Sequence, residues 1–220
     1  MSVTYEQIKN DERINTYIRQ ADESMRAMGF TEHSFAHVTK CAQTASGLLT
    51  DLGYSQREAE LARIAGHLHD IGNVVNRNDH AHSGALMAFR LLDELGMPAE
   101  DVATVVTAIG NHDEHTAYPV NAVAAALILA DKSDVRRSRV RNREGIRSDI
   151  HDRVNYAVEQ TDLSLDREAK TLTLTMTIDT TICPVMDYFE IFTTRMLLCC
   201  KAAQFFGLKF KLRINDAEIL

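Results

Sequence analysis

The stretch His67-Leu-His-Asp-Ile-Gly-Asn73 decides how this chain is read. It closes an apolar helical run from Ala59 to Leu68, which puts His69 and Asp70 at a helix end facing the interior. Charged groups are rarely buried unless they are paired or bound to metal. A single His-Asp pair is also what a satisfied core histidine looks like. Its company gives it weight: His37 lies upstream, and His80, His82, His112 and Asp131 lie downstream, each at the edge of a helical segment.

Working outward, the spacing predicts a mainly helical chain. Residues 4–28 carry Ile8, Ile14, Tyr17, Ile18 and Met25 at helical intervals and stop at Gly29, which reads as one or two helices. Thr31 opens the next, running to Asp51 with an apolar stripe of Val38, Cys41, Ala42, Ala45, Leu48 and Leu49. His33 and His37 share a face only if that helix already includes Thr31. Ser55 with Glu58 forms a capping box for the helix from Gln56, and Gly72 is a plausible stop after His69-Asp70. A polar loop, residues 73–79, precedes a helix starting at Asp79 or His80 and ending before Gly96-Met-Pro98. Residues 100–109 form another, and residues 111–119 are a loop rich in ligand-type groups. Residues 120–135 read as a very apolar, buried helix that ends in Asp131-Lys-Ser-Asp134.

Beyond it the composition shifts. Five arginines (136, 137, 139, 141 and 143) crowd into eight positions, and a helix is predicted over 149–159. Residues 171–178, Thr-Leu-Thr-Leu-Thr-Met-Thr-Ile, alternate strictly, with Leu163 and Leu165 offering an antiparallel partner across the turn 166–170. Pro184 opens a long helix to about Phe206, and residues 208–214 alternate again. The expected architecture is a helical domain over 1–150 and a small α+β unit over 151–220, with about three short antiparallel or mixed strands and one long helix. An exposed edge strand there would favour pairing between chains, so a homodimer is an expectation.

Composition narrows the function. A net charge of -7, no Trp and few aromatics argue against general nucleic-acid binding. The four cysteines, Cys41, Cys183, Cys199 and Cys200, make no Cys-x-x-Cys pair and read as buried reduced thiols. The polar start MSVTYEQIKNDER lacks the apolar core of a signal peptide, and the longest apolar run is too short to span a bilayer. A cytoplasmic protein without membrane association is expected.

His37, His69, Asp70, His80 or His82, His112 and Asp131 come from five separate segments. Imidazoles with carboxylates suit first-row metals such as Fe, Mn, Zn or Ni. Asp131 argues most strongly: it follows nine apolar residues on a helix that should be buried, where an unpaired carboxylate would cost several kcal/mol. Either a cation or a salt bridge to an arginine would offset that cost.

The order His37…His69-Asp70…Asp131 resembles the HD-domain superfamily of metal-dependent phosphohydrolases. The resemblance covers roughly residues 20–140 and extends to His-Val-x-x-x-Ala at 37–42, His-Asp-Ile-Gly at 69–72 and Ala-Asp-Lys at 130–132. It implies an HD-domain helical bundle in which His37, His69, Asp70 and Asp131 hold a first metal. Members with two metals add two histidines. Here His80, four residues before Gly84, and His112 would take those places, with His82 the second choice for His80 and Asp70 bridging. The implied cofactor is a divalent transition metal, two ions, Fe or Mn foremost and Ni, Co or Zn as alternatives. The chain departs from the cyclic-di-GMP phosphodiesterase branch: where that branch has His-His-Glu and then Gly-Tyr-Pro, this chain has Asn111-His-Asp and Thr-Ala-Tyr-Pro119.

Such a site would use a metal-activated hydroxide on a nucleotide or other small phosphorylated substrate. Asp70, Lys132, His33 and Asp134 are the expected catalytic groups, His33 as a proton donor one turn before His37. Asp113 and Glu114 would orient ligands. Arg136, Arg137 and Arg139 are the expected phosphate-binding residues, because guanidinium forks match phosphate oxygens; a solvated face paired to acids is the alternative. Two other classes share the ligand set: a mixed-valent di-iron oxygenase of the same fold, and a non-catalytic regulatory module. The first would consume O2, and the second would lack a ligand.

Overall fold

The computed structural model describes residues 3–114, 116–141 and 149–220. Two compact units make up the chain, Met1–Asp131 and Lys132–Leu220, a division that falls earlier than the composition shift suggests.

The first unit is helical. Helices α1 (Tyr5–Lys9) and α2 (Glu12–Ala27) split the segment expected as one or two. Each has a side-chain cap, Thr4 for α1 and Asp11 for α2, which explains the break between them. Helix α3 runs Phe35–Asp51 and is capped by Ser34, so it does not begin at Thr31. His33 therefore lies outside the helix. Helix α4 (Gln56–Leu68) starts on the Ser55–Glu58 capping box as the sequence predicts. A short 3-10 turn, Ile71–Val74, follows, then α5 (His80–Glu94) and α6 (Ala99–Gly110). Helix α7 occupies Ala122–Lys132, shorter than the apolar pattern suggested, and Val123–Ala130 are buried all round.

Glycines set the closest approaches of these helices. A Cβ on Gly66 would stand 2.7 Å from both Cα and N of Ala42, so α3 and α4 cross there almost backbone to backbone. Gly72 is not the helix stop the sequence suggested. Its φ is not positive, and α4 has already ended at Leu68. It is small for a different reason: a Cβ there would meet the His80 carbonyl oxygen at 2.1 Å and the Gly84 nitrogen at 2.4 Å. The spacing from His80 to Gly84 thus seats the first turn of α5 on the His69-Asp70 corner.

The second unit is α+β. Helix α8 is Ile150–Ala157, and β1 (Val158–Asp166) follows directly, ending the helix earlier than expected. Strand β2 (Thr171–Ile178) pairs antiparallel with β1, with Leu163 opposite Leu174 and Leu165 opposite Leu172. Helix α9 (Val185–Phe205) crosses over to β3 (Lys209–Ile214), which lies parallel to β2. A two-residue β4 (Ala217–Glu218) completes a four-stranded sheet in the order β1-β2-β3-β4, one strand more than expected. Leu172, Leu174, Met176 and Ile178 alternate inward with Phe210, Leu212 and Ile214, matching the period of two. Among the described residues, no helix is long and apolar enough to cross a membrane.

Candidate metal centre

All six expected ligands fall in the first unit, where four imidazoles and two carboxylates converge. His37 comes from the first turn of α3, His69 and Asp70 from the corner after α4, and His80 from the first residue of α5. His112 follows α6, and Asp131 stands near the end of α7. His37, His69, Asp70, His80 and His112 are buried.

Asp70 is central. Its Oδ2 lies 3.3 Å from His69 Nε2 and 3.5 Å from His37 Nε2, while its Oδ1 lies 3.5 Å from His80 Nε2. Asp131 Oδ1 closes the first group at 3.4 Å from His37 Nε2 and 3.8 Å from His69 Nε2. On the other side, His80 Nε2 and His112 Nε2 are 3.2 Å apart. The two oxygens of one carboxylate therefore address two sets of imidazoles.

Backbone carbonyls fix the rings. His69 Nδ1 donates to Gly66 O (2.9 Å), His80 Nδ1 to Arg77 O (3.0 Å) and His112 Nδ1 to Ile109 O (2.6 Å). A carbonyl can only accept, so each Nδ1 carries the hydrogen and each Nε2 presents its lone pair inward. His69 Nε2 is buried with no hydrogen-bond partner. A buried lone pair facing two carboxylates, with no hydrogen bond of its own, is what a cation would satisfy. The donor set thus fits a divalent metal, and within the cluster His37, His69 and Asp131 form one group and His69, Asp70 and His112 another.

Electrostatics agree with the geometry. Burial alone would lower the His69 pKa, but Asp70 and Asp131 outweigh it and hold the imidazole above its ordinary value. For Asp70 burial pushes upward, and His69, His33 and His80 together hold the carboxyl well below the usual range.

His33 reaches the cluster despite lying outside α3: its ring centroid is 5.6 Å from that of His37, and Asp22 accepts from its backbone N–H at 2.9 Å. His82 does not join; its side chain is exposed and lies 3.7 Å from Asp79. Asp79 has φ +58°, a left-handed conformation that Asp tolerates, and it turns the chain so that His80 points inward. His67 is packed and stays apart from the cluster, with its ring 5.5 Å from Tyr5 and 6.5 Å from Phe35.

Asp113 and Glu114 follow His112 in the first unit, and the remaining expected catalytic and phosphate-binding residues belong to the second. Lys132 is buried at the end of α7. Asp134 is fully buried and ion-paired to Arg136 Nε at 3.0 Å, with Arg139 Nη1 at 3.8 Å. Arg139 Nη1 also donates to Asp134 O, and Arg137 Nε donates to Tyr156 O. The three arginines thus have partners within their own unit. Arg143 lies outside the described residues.

Two groups were missed in the sequence. Cys41 Sγ lies 3.7 Å from both nitrogens of His37 and belongs to the first donor group. Its spacing of four from His37 was the available signal. Asn73, three residues after Asp70, donates from Nδ2 to Asp70 Oδ1 (2.9 Å) and Asp70 O (3.0 Å), fixing the carboxylate that both groups share.

No curated protein matches the chain. A family model described as HD domain matches residues 34–157, more than half of the 220 residues. The match contains every one of the six converging ligands, and HD domains are commonly metal-dependent hydrolases of a phosphohydrolase superfamily. On the length of that match, the chain belongs to the HD domain family.

Proposed function

We propose that the chain is a metal-dependent phosphohydrolase acting on a nucleotide or another small phosphorylated substrate. The observation that carries this reading is the division of Asp70, with one oxygen toward His37 and His69 and the other toward His80. His37, His69, Asp70 and Asp131 would hold one divalent ion, and Asp70, His80 and His112 a second. Divalent cations bound there would supply a water acidified toward neutral pH and an electrophile for a phosphoryl oxygen.

The chain's own groups have separable roles. Gly66, Arg77 and Ile109 carbonyls hold three rings in one tautomer, so their Nε2 atoms stay available for ligation. Asn73 fixes Asp70. His33 Nδ1 donates to Thr31 O at 2.7 Å, so a proton for the leaving oxygen would be carried on Nε2 of the imidazolium form.

Elemental analysis of the purified protein tests the reading, together with phosphate release from a panel of nucleotides under anaerobic conditions with Mn or Ni. About one to two transition-metal ions per chain are expected, with phosphate released in the absence of O2. Turnover that strictly requires O2, or a metal-loaded protein inert on every phosphate ester, would overturn it.

A further inference from the structure

Arg77 sits on the turn between the 3-10 segment and α5, with one edge against the candidate ligands. Its Nη1 lies 3.3 Å from Asn73 Oδ1, 3.4 Å from His80 Nε2 and 4.0 Å from Asp70 Oδ1. The side chain is 32% exposed. It borders a cleft of about 510 Å³ whose walls also include Phe30, Asn78, His80, Asp113 and Thr116. The guanidinium carbon is 5.9 Å from the Phe30 ring centroid, and Phe30 is 43% exposed.

A fixed cation beside divalent-metal ligands is electrostatically costly once metal binds, because like charges repel across a few ångströms. A bound anion removes that cost, since it is attracted by both. Arg77 is well placed to hold such an anion, because its inner edge is fixed by Asn73, the residue that also orients Asp70. A guanidinium fork matches two phosphoryl oxygens where a lone ammonium would not. The cleft falls within the usual volume of small-molecule sites. One wall is an aromatic ring, and Asn78 and Thr116 contribute amide and hydroxyl groups.

We propose that Arg77 is the phosphoryl-binding residue of this centre, and that the cleft beside it takes the organic part of a ring-bearing phosphate ester against Phe30. This rests on the metal-dependent reading above. It assigns the substrate phosphate to Arg77 in place of the arginine cluster at 136–139, and makes Phe30 a specificity residue.

The test is calorimetric titration of the Mn-loaded protein with inorganic phosphate and with phenylphosphonate, which is not hydrolysed. Metal content of each variant is measured in parallel. Arg77→Ala is expected to retain wild-type metal content and to bind phosphate about tenfold to a hundredfold more weakly. Arg77→Lys should recover part of that loss, and Arg90→Ala, removing an exposed arginine of α5 paired with Glu94, should change nothing. Phe30→Ala should abolish any advantage of phenylphosphonate over phosphate and leave phosphate binding intact. Normal metal content with undiminished phosphate affinity in Arg77→Ala overturns this proposal alone. Affinity lost only in step with metal also overturns it, because Arg77 would then merely support Asp70. A wild-type protein that takes up no metal overturns the underlying reading and this proposal with it.

Discussion

His67 and His69 stand two residues apart at the end of α4, both sealed from solvent, and the chain treats them in opposite ways. Two residues on a helix point about 200° apart, so the rings enter different surroundings. His67 meets the edge of Tyr5 and the tilted ring of Phe35, and neither of its nitrogens has a hydrogen-bond partner. Burial, with smaller contributions from His69 and Lys9, drives its pKa down to about 4. His69 is tied by Nδ1 to a carbonyl and turns Nε2 toward Asp70 and Asp131, which raise its pKa above the ordinary value against the pull of burial. The lesson is that burial alone makes a histidine a neutral packing group. Carboxylates converging on the ring, and a carbonyl fixing its tautomer, equip it to be a ligand.

The largest effect expected from disturbing this contrast comes through Gly72. A methyl group there meets two backbone atoms, so Gly72→Ala must push α5 away from the His69-Asp70 corner. A loss of at least ~3 kcal/mol in chemical denaturation is expected, together with loss of metal as His80 retreats. Unchanged stability would mean that α5 does not approach the corner this closely.

Next comes the exchange of the two histidines' fates. His69→Ala should lower metal affinity by ~100-fold or more, since it removes a donor outright rather than a supporting contact. His67→Leu should leave metal affinity at the wild-type level. Equal metal loss in both variants, measured by competition with a chelating dye, would erase the distinction.

Taken over one pH unit, the smallest effect is the pH dependence of His67. Its folded pKa, about 4, lies below the unfolded value near 6.5, so the unfolded chain binds the proton more readily. Stability therefore falls as pH drops from about 6.5 toward 4, by up to ~1.4 kcal/mol per pH unit from this group. His67→Leu loses no hydrogen bond and should flatten that part of the acid limb in thermal melts from pH 7 to pH 4.5. An acid limb as steep as wild type would show that His67 is not the group responsible.

Much of this was legible in the sequence. The capping box at Ser55, the alternation in β2 and the apolar run before Asp131 are local signals, and each formed the element it suggests. The convergence of His37, His69, Asp70, His80, His112 and Asp131 was readable through helical edges and the family's spacing. What escaped depends on distances between elements. Gly66 and Gly72 serve as contact points between backbones, which no single-helix period encodes. Cys41 looked like one more residue of an apolar stripe until α3 and α4 were brought together at Ala42. Arg77 stood in a polar loop with nothing to separate it from its neighbours, whereas the conspicuous arginines at 136 and 139 close on Asp134.

The central claim is that Asp70 joins two groups of imidazoles into one metal centre. It is tested most directly by counting metal per chain in wild type and Asp70→Ala by elemental analysis, with circular dichroism confirming that both are folded. The account predicts about one to two ions per wild-type chain and essentially none in the variant, with phosphate release abolished. A folded Asp70→Ala protein that keeps the wild-type complement of metal would contradict it.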